Sequence, residues 1–303
     1  MVATDHFDKT HKVLILIKSL ISLKMSDYAK KSMRGPMRRI LLIICTLFLN
    51  YSYPVYPTGK MESDAEFIRL HEASQEIKKA LEKHTDFFVE VNNTFQNRKA
   101  RRRFKSLAWW FEELPDYFVK RGSGRVWGRE VIMRCIEEHN LNHFTVPRKY
   151  FYHIPGTGFA LNDNNYWVVA QLIKRSEDFK PFNLEEAIQL CVLLKNTGFS
   201  DFLNRNIIRQ PDGKIAIIDT ESMWVNPKLS CAGIEGLFLR KSFNFNKWFT
   251  KDALKYCLKE LSKCSQITKE TYLRVLKRLD SQERPLRWDY VSYFKDLHPE
   301  FAE

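Results

Sequence analysis

The stretch SDFLNRNIIRQPDGKIAIIDTES, residues 200–222, decides how the rest of the chain is read. Two acids, Asp201 and Asp219, bracket two asparagines, a Pro211-Asp212-Gly213 turn and two short β-branched runs. Proline and glycine flanking an aspartate favour a tight turn, so IIRQ and KIAII read as the two strands of a hairpin. One acid stands before that hairpin, Asn206 stands at its start and the second acid at its end, a placement that converges three polar side chains on one point.

Working outward, NLEEAIQLCVLLKNTG (183–198) is the clearest helix: Asn183 caps it, acids fill its first turn and Gly198 closes it. Further upstream, NYWVVAQLIK (165–174) reads as a buried strand and FTVPRKYFYHIPG (144–156) as an aromatic strand with a turn at its end. RVWGREVIMRCIEEHNL (125–141) has helical spacing, and PDYFVKRG (115–122) reads as a strand ending in a glycine turn. FFVEVNNTF (87–95) alternates as a strand does, and a helix is expected from Glu62 to about His84. Beyond Leu229 helical patterns alternate with short loops, and no repeat period is present. The order is a mixed α/β first half followed by a mostly helical second half.

At 303 residues, 44% apolar and 28% charged, the chain has the composition of an ordinary globular protein with enough length for a large core. Its net charge of +13 is unevenly spread. Residues 1–60 hold ten Lys/Arg against three Asp/Glu, which leaves 39 against 33, about +6, in the body. RKARRRFK (98–105) packs six basic residues into eight positions, but with Phe104 its single aromatic, too little to stack successive bases, it is weak evidence for a nucleic-acid site. Cys45, Cys135, Cys191, Cys231, Cys257 and Cys264 form no CxxC pair, so a metal site is not expected and the body thiols read as buried and free. MRRILLIICTLFLNYSYPVYPT (37–58) follows the order of a secretory signal, with Met37 a candidate start. Its apolar run is too short for a spanning helix; no small-residue cleavage site follows it, which counts against a signal, and the expected address is export through this segment or otherwise the cytoplasm. No transmembrane helix is expected in the body.

Transfer of a phosphoryl group from ATP needs a carboxylate beside the attacking hydroxyl, a carboxylate and an amide oxygen on Mg2+, and a lysine on the phosphates. D-x-x-x-x-N at 201–206, followed thirteen residues after Asn206 by I-D-x-E, resembles the catalytic loop and metal-binding aspartate of the protein-kinase-like superfamily, in particular its aminoglycoside phosphotransferase and choline kinase branch. The resemblance implies that Asp201 is the catalytic base, that Asn206 and Asp219 hold Mg2+, and that Glu221 matches the acid often found two residues beyond. YFVK resembles the third strand of the small lobe, which implies that Lys120 contacts the phosphates and that the next helix supplies its ion-pair partner, Glu130 by position, with Glu137 as the alternative. WVVAQLI resembles the hinge strand, implying adenine contacts near Val169–Gln171, that is, at Val169 and Gln171.

The expected fold is therefore α+β and two-lobed: an N-terminal extension over 1–60, a small mixed α/β N-lobe with a preceding helix over 61–174, and a mostly helical C-lobe over 175–303 that carries the 198–222 segment. The expected cofactors are ATP and Mg2+, and the expected acceptor is an unidentified protein or small-molecule hydroxyl. Two departures stand out. Phe199 replaces the family's histidine, and residues 85–119 contain no glycine, so no glycine-rich loop precedes Lys120. Gly122, Gly124 and Gly128 follow the lysine instead, where they either hold phosphate at a helix N-terminus or form a turn before the helix. Two alternatives follow: a pseudokinase that binds a protein through its basic run, and a nucleic-acid-binding protein.

Overall fold

The computed structural model describes residues 63–97, 108–227, 230–240, 244–264, 267–281 and 289–301. All of them belong to one compact unit, Tyr56–Glu303. The signal-like segment and the basic run 98–105 lie outside the described residues.

The fold is α+β, with two small sheets among helices. Strands β1 (Ala108–Trp110), β2 (Tyr117–Lys120), β4 (Lys149–His153) and β5 (Tyr166–Gln171) form an antiparallel sheet in the order β1-β2-β5-β4. Its two faces are both buried, as strict alternation along β5 requires. Trp167 and Val169 join Val119 and Tyr152 on one face, under Ile77, Leu81, Phe88 and Val91 of the helices α2 (Gln75–Glu82) and α3 (Thr85–Gln96). Tyr166, Val168 and Phe151 meet Val126 on the other face, with Phe67 and Ile68 of α1 (Asp64–Leu70) packed alongside. Lys120 pairs with Val168, and Lys149 with Ala170, so both lysines stand on this second face.

Helix α4 (Gly124–Glu138) leads from the first sheet to β3 (Phe144–Thr145), which pairs in parallel with β7 (Ile215–Ile217); β7 in turn pairs antiparallel with β6 (Ile207–Arg209). The segment read as one strand over 144–156 is thus two strands in different sheets. Pro147 explains the break, because it cannot donate to a ladder. The segment read as a strand over 87–95 is helix α3. Phe88, Val91 and Asn92 are buried at helical spacing, so burying that stripe on the sheet outweighs the β-branched composition. The expected helix before His84 is also divided, because residues 71–73 pair with the open edge of β4: the Phe151 N–H donates to the His71 carbonyl at 2.6 Å, and Ala73 N–H to the Phe151 carbonyl at 2.8 Å.

The second half is helical. Helix α5 (Leu184–Thr197) packs on α6 (Ser230–Leu239) and on α8 (Lys251–Ser262), the latter preceded by the short α7 (Phe245–Trp248). Helices α9 (Lys269–Asp280) and α10 (Tyr290–Asp296) complete the bundle around a core that includes Leu190, Leu194, Phe202, Phe238 and Leu258. Helix α5 starts with a reciprocal capping box between Asn183 and Glu186 and ends at Gly198, whose φ of +57° is the left-handed cap that favours glycine. Among the described residues no helix is long and apolar enough to cross a membrane.

Candidate functional site

The site is built on the loop that leaves α5 and on the hairpin that follows. Phe199 and Phe202 are fully buried and anchor the loop from both sides of Asp201. Phe199, two positions before Asp201, is therefore a core residue. The Ser200 N–H donates to the Trp224 carbonyl at 2.9 Å, and helix α6 lies so close that a Cβ on Gly236 would come within 2.6 Å of the Ser200 carbonyl oxygen. The hairpin is tied to α5 by Arg209, which donates to both carboxylate oxygens of Glu186 at 2.7 and 3.0 Å.

Within that frame the Asn206 amide donates to the Asp201 backbone carbonyl at 3.0 Å and to its carboxylate Oδ2 at 2.8 Å. Both residues are buried. The other carboxylate oxygen of Asp201 accepts from Arg240, whose guanidinium lies 4.3 Å over the Trp224 ring. Burial raises the Asp201 carboxyl above its ordinary range; Arg240 opposes this and the nearby charge of Asp219 adds to it. The Ile218 N–H donates to the Asn206 carbonyl at 2.9 Å, which sets the end of β7 beside the start of β6 and delivers Asp219 to the same region.

Lys120 arrives from the first sheet, across 98 positions of sequence, and donates to the Ile218 carbonyl at 3.4 Å. Burial lowers its pKa, and the charge of Asp219 partly restores it. Lys149, buried at 2% exposure, donates to the Thr220 hydroxyl at 2.6 Å, and that hydroxyl donates to the Arg125 carbonyl at 2.7 Å. Burial, then the charge of Lys120, pushes the Lys149 pKa well down. Arg125 completes the cluster: its Nε lies 3.2 Å from Asp219 Oδ1 and its Nη2 contacts Glu221.

The glycines after Lys120 have a packing role. A Cβ on Gly128 would stand 2.0 Å from the Thr220 carbonyl oxygen, and one on Gly124 would stand 2.3 Å from the Ser222 hydroxyl. They let α4 lie directly on the segment that follows Asp219. The N-terminus of α4 is taken by a side chain of this protein, since Ser123 N–H donates to Asp163 Oδ1 at 2.6 Å.

Two expected contacts are arranged differently. Glu130 pairs with His71 and with Arg129, each at 3.0 Å, so the described ion pairs of this glutamate do not include Lys120. Its helix position turns it toward α1, and Glu137, the alternative, is exposed. Val169 is paired with Val119 on one side and Tyr150 on the other, and the Gln171 N–H donates to the Arg148 carbonyl at 2.9 Å. Because β5 is an interior strand, its backbone groups are already engaged. Even the Leu172 N–H donates, to the Asp116 carbonyl at 2.7 Å.

Arg125, Lys149, Thr220 and Arg240 escaped the sequence reading, although Arg125 and Thr220 directly adjoin motifs that it singled out. Among the described residues, no group of three or more His, Cys, Asp and Glu side chains is placed to hold a metal by itself. A smaller set fits Mg2+, which commonly takes one or two carboxylates and completes its shell with phosphate oxygens and water. Asp219 Oδ1 is buried and accepts no hydrogen bond, and the Asn206 amide, with its nitrogen committed to Asp201, leaves its oxygen for a cation.

No protein-family model, curated protein or solved structure matches the chain.

Proposed function

We propose that the chain is an ATP- and divalent-metal-dependent phosphotransferase with a two-lobed, protein-kinase-like arrangement, acting on a hydroxyl of a protein or small molecule. The observation that carries the reading is the Asn206 amide, which holds both the backbone carbonyl and the carboxylate of Asp201 while Lys120, from a separate sheet, reaches the backbone just before Asp219. Asp201 would orient the acceptor hydroxyl and take its proton, and its upward shift brings it closer to the basicity such a group needs. Asn206 and Asp219 would hold Mg2+, which when bound would offset the charge of the phosphates. Lys120 would meet the same phosphates as a point charge. In this reading the adenine would meet backbone beyond Leu172, since that of Val169–Gln171 is engaged within the sheet. The fit to Mg2+ rests on Asp219 Oδ1, which is buried beside Arg125 and accepts no hydrogen bond.

A second reading, a catalytically inactive pseudokinase acting as a protein-binding module, is favoured by one observation: the guanidinium of Arg125 is already on Asp219 and Glu221. Consumption of ATP by the purified full chain, with Asp201→Asn in parallel, separates the two. Turnover lost in the variant supports the phosphotransferase. Absence of turnover in the folded wild type supports the pseudokinase.

A further inference from the structure

We infer that Arg125 is a resident counter-cation of the acidic pair Asp219 and Glu221, which a divalent metal must displace in order to bind. The inference rests on the proposed role of Asp219 as a metal ligand and adds a control on when that ligand is available.

Arg125 is buried at 6% exposure, and it is placed by its own helix rather than by chance contact at a surface. Its Nη1 donates to the Arg121 carbonyl at 3.1 Å, and its carbonyl accepts from Thr220, so backbone and side chain are both fixed against the segment that carries the acids. The close approach at Gly124 and Gly128 holds α4 there. One planar guanidinium then reaches both carboxylates, through Nε to Asp219 and Nη2 to Glu221. The contact with Asp219 is nevertheless incomplete. Arg125 Nε and Asp219 Oδ1 lie 3.2 Å apart, yet both are buried and neither makes an aligned hydrogen bond. A cation therefore offsets the charge of Asp219 while its acceptor oxygen remains unsatisfied, the condition in which a second cation can compete for it. Phosphate oxygens accept bidentate arginine as well as carboxylates do, so an incoming nucleotide can take the guanidinium as the acids pass to the metal.

The test uses Mn2+ as the probe, with free ion counted by electron paramagnetic resonance in the absence of nucleotide. Wild type, Arg125→Gln and Arg125→Lys are compared as full chains after their folding has been checked by circular dichroism. The glutamine variant should bind Mn2+ at least about tenfold more tightly than wild type. The lysine variant, which can hold only one carboxylate at a time, should fall between the two, and it decides the matter if the glutamine variant does not fold. Equal or weaker Mn2+ binding in the folded variants overturns the inference. Thermal stabilisation of the wild type by MgATP is measured separately. If that stabilisation is present but the variants gain no Mn2+ affinity, only the role of Arg125 fails. If neither MgATP nor Mn2+ binds any of the three proteins, the proposed function fails and the inference fails with it.

Discussion

Asn206 holds Asp201 at two points, the backbone carbonyl at 3.0 Å and the carboxylate at 2.8 Å, so the loop and the acid it presents are fixed by one side chain. Replacing Asn206 by alanine should therefore do two things: release the Asp201 carboxylate, and remove an oxygen expected on the metal. Both nucleotide affinity and turnover should fall. Asp201→Asn keeps the shape of the loop and should spare nucleotide binding while lowering turnover by roughly a hundred- to ten-thousand-fold, the usual worth of a positioned general base. Isothermal calorimetry alongside a turnover assay checks the pair. Parallel loss of binding in both variants would place Asp201 in binding rather than in proton transfer.

Gly128 has no room for a side chain. Its Cβ would lie 2.0 Å from a backbone oxygen of Thr220, which cannot swing away as the end of a side chain can. Gly128→Ala should cost about 1–3 kcal/mol or more in stability, and at roughly 2–4 °C per kcal/mol that is a readily measured fall in Tm. Gly213→Ala, by contrast, meets no neighbour and tests only the φ of +86° in the hairpin turn. If Gly128→Ala melts no lower than wild type, α4 is not held against Thr220 as described.

These two cases show what the sequence makes legible. The helix over 183–198 and the hairpin over 207–217 carry their own punctuation, Asn183, Gly198 and Gly213, and form where local chemistry places them. Residues 87–95 lack such signals. Their phenylalanines and valines alternate and also recur at helical spacing, and only the sheet beneath Phe88 and Val91 selects the helix. The Asp201–Asn206 contact is legible because five residues separate the partners. The Lys120, Lys149 and Arg125 contacts join positions 71 to 98 residues apart, and Glu130 turns to His71 across 59, so spacing along the chain could not assign them.

The His71–Glu130 pair should make stability depend on pH. Burial disfavours the charged ring of His71, but its hydrogen bonds to Glu130 and to the Phe67 carbonyl outweigh this and raise its pKa above the ordinary 6.5. The hydrogen bond from His71 lowers the Glu130 pKa below its ordinary 4.5. A raised histidine contributes fully below its unfolded value and loses that contribution as pH rises through the folded value. A lowered glutamate contributes above its unfolded value and loses that as pH falls through the folded one. The pair should thus stabilise most between about pH 4.5 and about pH 6.5, and His71→Gln should flatten the decline above that window. Urea titrations of both proteins at several pH values measure it, and superimposable pH profiles would contradict the pairing.

Cys135, Cys257 and Cys264 should be silent in the native state. Burial raises the Cys135 thiol to about 11 and the Cys264 thiol to about 12, the latter with help from a hydrogen bond with Cys231. Cys257 shares a hydrogen bond with Cys191 at 3.7 Å, and that bond together with burial moves its pKa well up. Thiolate is the reactive form, so alkylation of Cys135, Cys257 and Cys264 should be slow in buffer and fast in denaturant. Mass spectrometry after a timed pulse of iodoacetamide resolves them individually. Rapid native labelling of Cys257 would show that the contact between α5 and α8 opens readily.

The most direct test of the nucleotide site is a thermal melt of the full chain with and without MgATP, run beside Asp219→Ala. A ligand present at about 100 times its dissociation constant stabilises by roughly 2.7 kcal/mol, which a melt detects easily. The proposed function predicts a metal-dependent rise in Tm for the wild type that disappears in Asp219→Ala. An unchanged Tm at millimolar MgATP, or an equal rise in the variant, would contradict it.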